Sequence, residues 1–363
     1  MAKKLRPDRV LFMVTLSLVA FGIAMVFSSS AVVAKEKFGD PNYFALHQLV
    51  AATLGLAVMF LVMKIDYHLY RHPAAVFSLL AGVVSLLVLV FFLPPQANTH
   101  RWITLPGFSI QPSEFGKLAL IFFLAYFLEK RQNQVNDVMF TIVPVAVVSA
   151  LLCGLIVIQP DLGTSLALII ITAIMLFVAG LDLRWFGIPA LLAAPAFYFL
   201  VYRVKWRHDR ILAFLNPDAD PLGIGFQINQ SKLAVGGGGI FGLGFMEGKQ
   251  KLFYLPEAHT DFIFAVIAEE IGLIGTVVVL ALFALFLWRG LRTTLRAPDR
   301  FGFYLALGVT MMISVQAFIN MSVVLGLMPT KGIPLPFLSY GGSSFIVMLA
   351  AVGILLNVSQ QSS

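Results

Sequence analysis

The stretch His259-Thr260-Asp261-Phe262-Ile263-Phe264, continued by apolar sequence as far as Trp288, decides how this chain is read. The apolar run is long enough to cross a bilayer, which takes about 20 residues. Its first residues place a carboxylate at the lip of the crossing. An acid there is costly unless it faces protein or a water-filled cavity, so Asp261 reads as functional. Just upstream lies the longest polar stretch of the chain, residues 204–260, rich in Arg, Lys and Gly. The pairing points to a membrane protein that does chemistry on a charged molecule at one bilayer face.

Composition agrees. The 363 residues are 59% hydrophobic and only 12% charged, whereas a soluble domain carries about a quarter charged residues. A lipid-facing surface absorbs this imbalance and a water-soluble core does not, so the chain is expected to form a single membrane domain over residues 1–363. The net charge of +7 suits anionic headgroups or a phosphate-bearing ligand. No basic stripe stands clear of the apolar spans, so nucleic acid is not an expected partner. Cys153, the single cysteine, lies in an apolar span and reads as a packing residue. Lys3, Lys4, Arg6 and Arg9 precede an apolar stretch without a convincing cleavage pattern, which reads as a signal anchor.

The expected fold is an all-α polytopic bundle. Residues 10–34, 43–63, 73–93, 114–128, 139–158, 161–179, 186–201, 261–288, 301–327 and 342–357 give ten crossings, the fourth and seventh short. A large extracellular loop, residues 204–260, separates the seventh from the eighth. Positive charge in the short loops sets the orientation. The amino-terminal cluster, Lys64 with Arg71, Lys130 with Arg131, Arg184, and Arg289 through Arg300 fall on one side, which is therefore cytoplasmic and carries both termini. The cations of the long loop do not overturn this, because long loops translocate largely regardless of charge. Their excess calls for another explanation, and anion binding supplies one.

Asp261 has a plain alternative as a helix N-cap, where Thr260 would serve equally well. Glu257 and His259 crowd the same end of the cationic loop, and an N-cap setting would keep the carboxylate ionised, as a general base requires. Glu114 and Lys117 sit three residues apart on a helix introduced by Pro112, so they share a face and can pair. Lys117 lies about one turn inside the span, where an unpaired ammonium is costly, and a paired Glu–Lys in a polar cavity is expected. Glu269 and Glu270, about 12–14 Å further along the Asp261 helix, read as structural polar contacts rather than an ion conduit. The glycine-rich run from Gly236 to Gly244 is able to bare backbone N–H groups to phosphate. It lacks the Gly-Lys-Ser/Thr ending of a nucleotide loop. No zinc spacing or nucleophile elbow is present. Ile110-Gln111-Pro112-Ser113 and Ile158-Gln159-Pro160-Asp161 echo one another, which reads as parallel capping.

The run from Asn320 to Ser344, with Gly326, Pro329, Gly332, Pro334, Pro336, Ser339, Tyr340, Gly341 and Gly342 at fixed spacings, resembles the signature of the shape, elongation, division and sporulation family (RodA, FtsW, SpoVE). Four further stretches agree: Gln111 to Glu114 with Lys117, Gln159 to Thr164, Phe214 to Gly223, and Leu255 to Phe262. The resemblance spans nearly the whole chain. The Leu-Pro-Glu-x-His-Thr-Asp-Phe form, with Phe214-Leu215-Asn216-Pro217, is similar to RodA more than to FtsW.

The resemblance implies a peptidoglycan glycosyltransferase of the bacterial inner membrane that polymerises lipid II during cell elongation, partnered by a class B penicillin-binding protein. It places the essential aspartate at Asp261 and the Glu–Lys pair at Glu114 and Lys117. It also implies dependence on a divalent cation (Mg or Mn), with no ligands indicated. On this reading Asp261 deprotonates the acceptor 4-hydroxyl, which attacks the donor anomeric carbon with inversion. Lys117, Arg207, Arg210, Lys232 and Lys249 are candidates to hold the leaving diphosphate, since charge that develops in a transition state needs preorganised partners. Arg101 and Trp102 are candidates for the sugar site, and His259 completes the substrate-binding set. The rival reading is a lipid II flippase, for which Glu269 and Glu270 would be intramembrane acids.

Overall fold

The computed structural model describes residues 6–96, 99–105 and 108–362. Lys3 and Lys4, part of the amino-terminal charge cluster, lie outside the described residues.

Twelve α-helices occur among the described residues. They are α1 (Arg9–Phe38), α2 (Tyr43–Lys64), α3 (Pro73–Leu89), α4 (Pro112–Lys130), α5 (Val143–Ile158), α6 (Leu162–Val178), α7 (Gly187–Phe197), α8 (Lys205–Leu215), α9 (Phe226–Gly237), α10 (Ile263–Leu295), α11 (Arg300–Val324) and α12 (Gly342–Gln361). A short antiparallel hairpin, β1 (Ile103–Leu105) and β2 (Phe108–Ile110), precedes α4. Eight helical stretches are long and apolar enough to cross a bilayer. Helix α6, with 17 residues, and α4, with its Glu114–Lys117 pair, complete the ten expected crossings. The all-α bundle is as read from the sequence. The polar stretch between the seventh and eighth crossings is not bare loop, however, since it holds α8 and α9.

Helices α11 and α12 form the centre, with 72% and 78% of their apolar windows buried, whereas the seventh crossing, Leu183–Tyr202, buries none. That contrast marks α7 as a peripheral helix. Around the centre, α2 packs on α1 and α12, while α6 packs on α4, α5 and α11. The two groups face each other across the polar end of the bundle.

Both ends of the described chain lie at the opposite end. Asp8 N donates to Ser359 Oγ at 3.1 Å, and Arg289 Nε donates to the Asp8 carboxylate at 2.9 Å. Gln361 reaches Asp66, Tyr67 OH donates to Asp299, and Arg71 pairs with Glu129. The cationic short loops assigned to one side from the sequence are thus gathered at one end of the molecule.

Helix α10 is broken at Gly272, where φ is 72° and ψ is −160°. This left-handed, Gly-tolerant backbone interrupts the helical ladder and orphans carbonyls and N–H groups on either side. The run from Gly239 to Gly244 fills the gap. Leu243 N and Gly244 N donate to Glu269 O and Glu270 O, and Leu273 N donates to Gly239 O. The glycine-rich run therefore spends its backbone on a helix break rather than on phosphate, which corrects the anion-loop reading. A Cβ at Gly272 would lie 2.4 Å from Gly242 N.

Below the break, the Glu269 carboxylate accepts from Lys249 N at 2.8 Å and from Gln250 N. Glu270 accepts from Ser28 Oγ at 2.7 Å, from Met246 N at 3.0 Å and from Lys251 Nζ at 2.6 Å. Both acids are buried and tie the 239–251 segment to α10 and α1. They form structural contacts, as expected from the sequence.

Candidate active site

At the end of the bundle away from the termini, a cavity of about 860 Å³ opens between the two helix groups. One wall is α2, contributing Tyr43, Leu46, His47, Val50, Ala51 and Leu54. It carries no formal charge, and Leu46, Val50 and Leu54 are exposed. The opposite wall is the start of α6 with Arg101 and Trp102 of the segment leading into the hairpin. Glu114 and Lys117 of α4 with Gln316 of α11 line the cavity as well, as do Asp261, Gly332 and Tyr340.

Asp261 precedes α10, and its side chain does not cap that helix. The N-cap position is Phe262, without a side-chain cap bond, and Thr260 Oγ1 turns back to Glu257. The capping alternative is therefore not adopted. Its backbone is pinned instead: Asn320 Nδ2 donates to Asp261 O at 2.7 Å, and Ser339 Oγ donates to Thr260 O. Gly332 makes room, since a Cβ there would stand 2.8 Å from Asp261 Oδ2. The carboxylate itself has neither a hydrogen-bond donor nor an ion-pair partner among the described residues.

Burial, reinforced by the nearby Glu257 charge and opposed by Arg210, pushes Asp261 up to about 7. This corrects the expectation that the helix start holds it firmly ionised. An acid near 7 is poised to take a proton at neutral pH.

Glu114 and Lys117 pair at 2.8 Å, both buried, and Lys117 Nζ also donates to Gln316 Oε1 at 2.7 Å. Gln316 in turn donates to Pro334 O, which fixes the loop carrying Gly332. A lone ammonium at this depth would be expensive. The pair thus fastens α4, α11 and the 332–334 loop beneath Asp261.

Four cations gather beside the acid. Arg101 Nε donates to Gln159 O at 2.7 Å, and Arg210 Nη1 donates to Thr330 O. Arg207 Nη1 donates to Leu200 O, and its buried Nε has no partner. Lys331 lies over the start of α6, its Cε 2.9 Å from where a Gly163 Cβ would stand. None of the four has a carboxylate within ion-pair distance among the described residues. Burial lowers Lys331 to about 8, opposed by Asp161 and reinforced by Arg210 and Arg207. Arg207 and Arg210 are lowered too, first by burial; at Arg210 the Asp261 charge opposes the shift, and Arg101 reinforces it at both. Uncompensated cations packed this closely make an anion site.

Placement of the sequence candidates is uneven. Asp261, Glu114, Lys117, Arg101 and Trp102 line the cavity. Arg207, Arg210 and Lys331 lie outside the lining but interact electrostatically with its residues, Arg207 with Arg101, Arg210 with Asp261 and Arg101, and Lys331 with Asp161. His259 lies behind the lining, its ring 4.6 Å from Phe44 and 5.9 Å from Tyr340. Lys232 and Lys249 are exposed and outside the lining. Lys232 sits by Gly326, and Lys249 is drawn to the α10 break by its backbone bond to Glu269. These two are not placed to hold an anion in this cavity. Lys331 and Asp161 were missed as site residues; Lys331 lies inside the Asn320–Ser344 run, one residue from Gly332. Asp161 caps α6 through Thr164 N at 3.1 Å and meets Gln111 Nε2 at 3.4 Å, so the two Gln-Pro echoes converge here.

No three His, Cys, Asp or Glu side chains among the described residues converge to hold a metal ion. The donor set among the described residues does not fit a protein-caged divalent cation.

A polytopic membrane protein with a poised acid beside an anion site, in a cavity bordered by lipid-facing helix, is the class that fold and site define. The chain belongs to the FtsW/RodA/SpoVE cell cycle protein family, whose model matches residues 8–363. It is 47% identical to a probable peptidoglycan glycosyltransferase FtsW of Trichlorobacter lovleyi, over 97% of this chain and 93% of that protein. It is also 47% identical to stage V sporulation protein E of Bacillus subtilis, over 99% of each. Among solved structures, a chain of a peptidoglycan synthase complex that coordinates polymerization and crosslinking matches with TM-score 0.79 at 32% identity, over 97% of each chain. Thermus thermophilus rod shape determining protein RodA matches with TM-score 0.73 at 28% identity, over 98% of this chain and 97% of that one. The particular likeness to RodA read from two short motifs is not upheld, because whole-chain identity to proteins named FtsW and stage V sporulation protein E is far higher.

Proposed function

We propose that this chain is a peptidoglycan glycosyltransferase that polymerises lipid II at the outer face of the bacterial cytoplasmic membrane. The observation that carries the reading is the unpartnered Asp261 carboxylate facing a cavity lined by Arg101, with Arg207, Arg210 and Lys331 outside the lining on that side and α2 on the other. Lipid II has the matching parts: an apolar tail, a diphosphate at headgroup depth and a sugar–peptide head in water. Asp261 takes the proton of the acceptor 4-hydroxyl as its oxygen bonds the donor anomeric carbon. The bond from that carbon to the diphosphate oxygen breaks, and its electron pair leaves with the lipid diphosphate. Arg101, Arg207, Arg210 and Lys331 offset the charge that develops there. The Glu114–Lys117 pair positions the floor of the site.

The relatives' names support a setting in division or sporulation, in place of the elongation role first expected. A class B penicillin-binding protein is the partner that fits, given the complex in which a structural neighbour is found. The transporter reading loses its residues, since Glu269 and Glu270 are consumed by the α10 break.

The test is polymerisation of labelled lipid II by purified protein in detergent. Wild type should yield glycan strands, and Asp261→Asn should yield none while inserting and purifying normally. Strands made by Asp261→Asn would remove the base assignment. Signal obtained solely across sealed vesicles would favour a transporter.

A further inference from the structure

The cavity has two chemically distinct walls, and the reaction asks different things of its two substrates. Both carry a diphosphate, yet only the donor's diphosphate gains charge as its bond to the sugar breaks. The acceptor's stays as it was. Preorganised cations are therefore useful to the donor. Apart from Lys117, which is paired with Glu114, they occur on one side: Arg101 in the lining, anchored on the turn before α6, with Lys331 over the start of α6 and Arg207 and Arg210 of α8 outside the lining.

The facing wall is aromatic and carries no cation in the lining, and the charge nearby in the lining is the Glu257 carboxylate. His47 and Tyr340 line the cavity there. Each is backed by further rings. Tyr43 lies 4.3 Å from His47 and stacks on Phe38 at 3.9 Å, while Phe44 meets Tyr340 edge-on at 5.1 Å. Buttressed rings that cannot turn away are a fixed surface for the apolar face of a sugar, offered at little conformational cost. Inversion adds a geometric demand. The attacking oxygen and the departing oxygen stand on opposite sides of the anomeric carbon, as these walls stand on opposite sides of the cavity.

We infer that the cavity is divided into fixed subsites: the donor lies with its diphosphate on the Arg101–Arg207–Arg210–Lys331 wall, and the acceptor's terminal sugar lies on the His47–Tyr340 wall. The inference rests on the glycosyltransferase reading and adds to it which substrate occupies which side. Asp261 sits where the two meet. The acceptor's proton passes to its carboxylate, and the donor's electron pair leaves toward the opposite wall.

The experiment uses full-length protein in detergent with two lipid II preparations. One has its terminal 4-hydroxyl blocked, so it serves solely as donor; the other is unmodified and is titrated as acceptor. Tyr340→Leu should raise the acceptor KM about tenfold and leave the donor KM within about twofold. Tyr340→Phe should keep both near wild type, because the ring is retained. Lys331→Gln should do the reverse of Tyr340→Leu, raising the donor KM and lowering kcat. Equal effects on both substrates, or the opposite pattern, would overturn the assignment. Absence of any product from wild type would instead refute the underlying reaction. A wild-type unfolding temperature for each variant excludes simple misfolding.

Discussion

Asp261 is held where it can act by groups that are not themselves reactive. Asn320 and Ser339 fix the backbone at 260–261, and Gly332 leaves room for the carboxylate. Two outcomes follow at this scale. Asp261 is raised to about 7 and must be ionised to accept a proton, so activity should fall as pH drops below about 7. Lys331 is lowered to about 8, so the anion site should weaken as pH rises past it. A bell-shaped rate profile with limbs near these values is expected in steady-state polymerisation, and Lys331→Gln should flatten the alkaline limb. Gly332→Ala should cut kcat roughly 10- to 100-fold, in keeping with the cost of misplacing a catalytic group by about an ångström. Circular dichroism of that variant should match wild type.

At the level of elements, the α10 break is the feature on which the 239–251 segment depends. It needs a residue at Gly272 that tolerates positive φ, and a partner for the buried Glu270. Lys251→Met would strand that carboxylate, and breaking a buried pair costs about 3–5 kcal/mol. Gly272→Ala would add a Cβ against the backbone of Ile240 and Gly242. Both variants should lower the thermal unfolding midpoint in detergent by several degrees. The charge patterns of Glu269 and Glu270 were visible in the sequence. Their roles were not, because the partners Ser28 and Lys251 lie 242 and 19 residues from Glu270. The glycine run misled for a similar reason: a flexible segment shows what backbone it permits, and packing decides which backbone it meets.

For the whole molecule, sidedness is the open physical consequence. The described ends meet through Asp8 and Ser359, with the cationic short loops around them, and the cavity lies at the far end. With Cys153 replaced by Ser, Leu222→Cys should react with an impermeant thiol reagent on intact spheroplasts, since Leu222 is 88% exposed in the polar stretch. Ser362→Cys should react only after permeabilisation. The reverse pattern would place the cavity in the cytoplasm, away from the site where glycan is needed.

What the sequence determined by itself was the architecture and the acid that lines the cavity. Ten apolar runs, all but the fourth and seventh near bilayer length, leave few folds open, because backbone polar groups in lipid must be satisfied within each helix. An aspartate at the mouth of one run has few inexpensive explanations. The Glu114–Lys117 pair was legible too, since three residues is one helical step. The tertiary structure alone decided which cations serve the site. Lys232 and Lys249 share composition and stretch with Arg207 and Arg210, yet they point elsewhere, while Lys331 comes in from a loop some 70 residues on from Asp261 (331 against 261). Charge along a chain records how many cations are available, and long-range packing alone sets which of them share a dielectric with the same carboxylate.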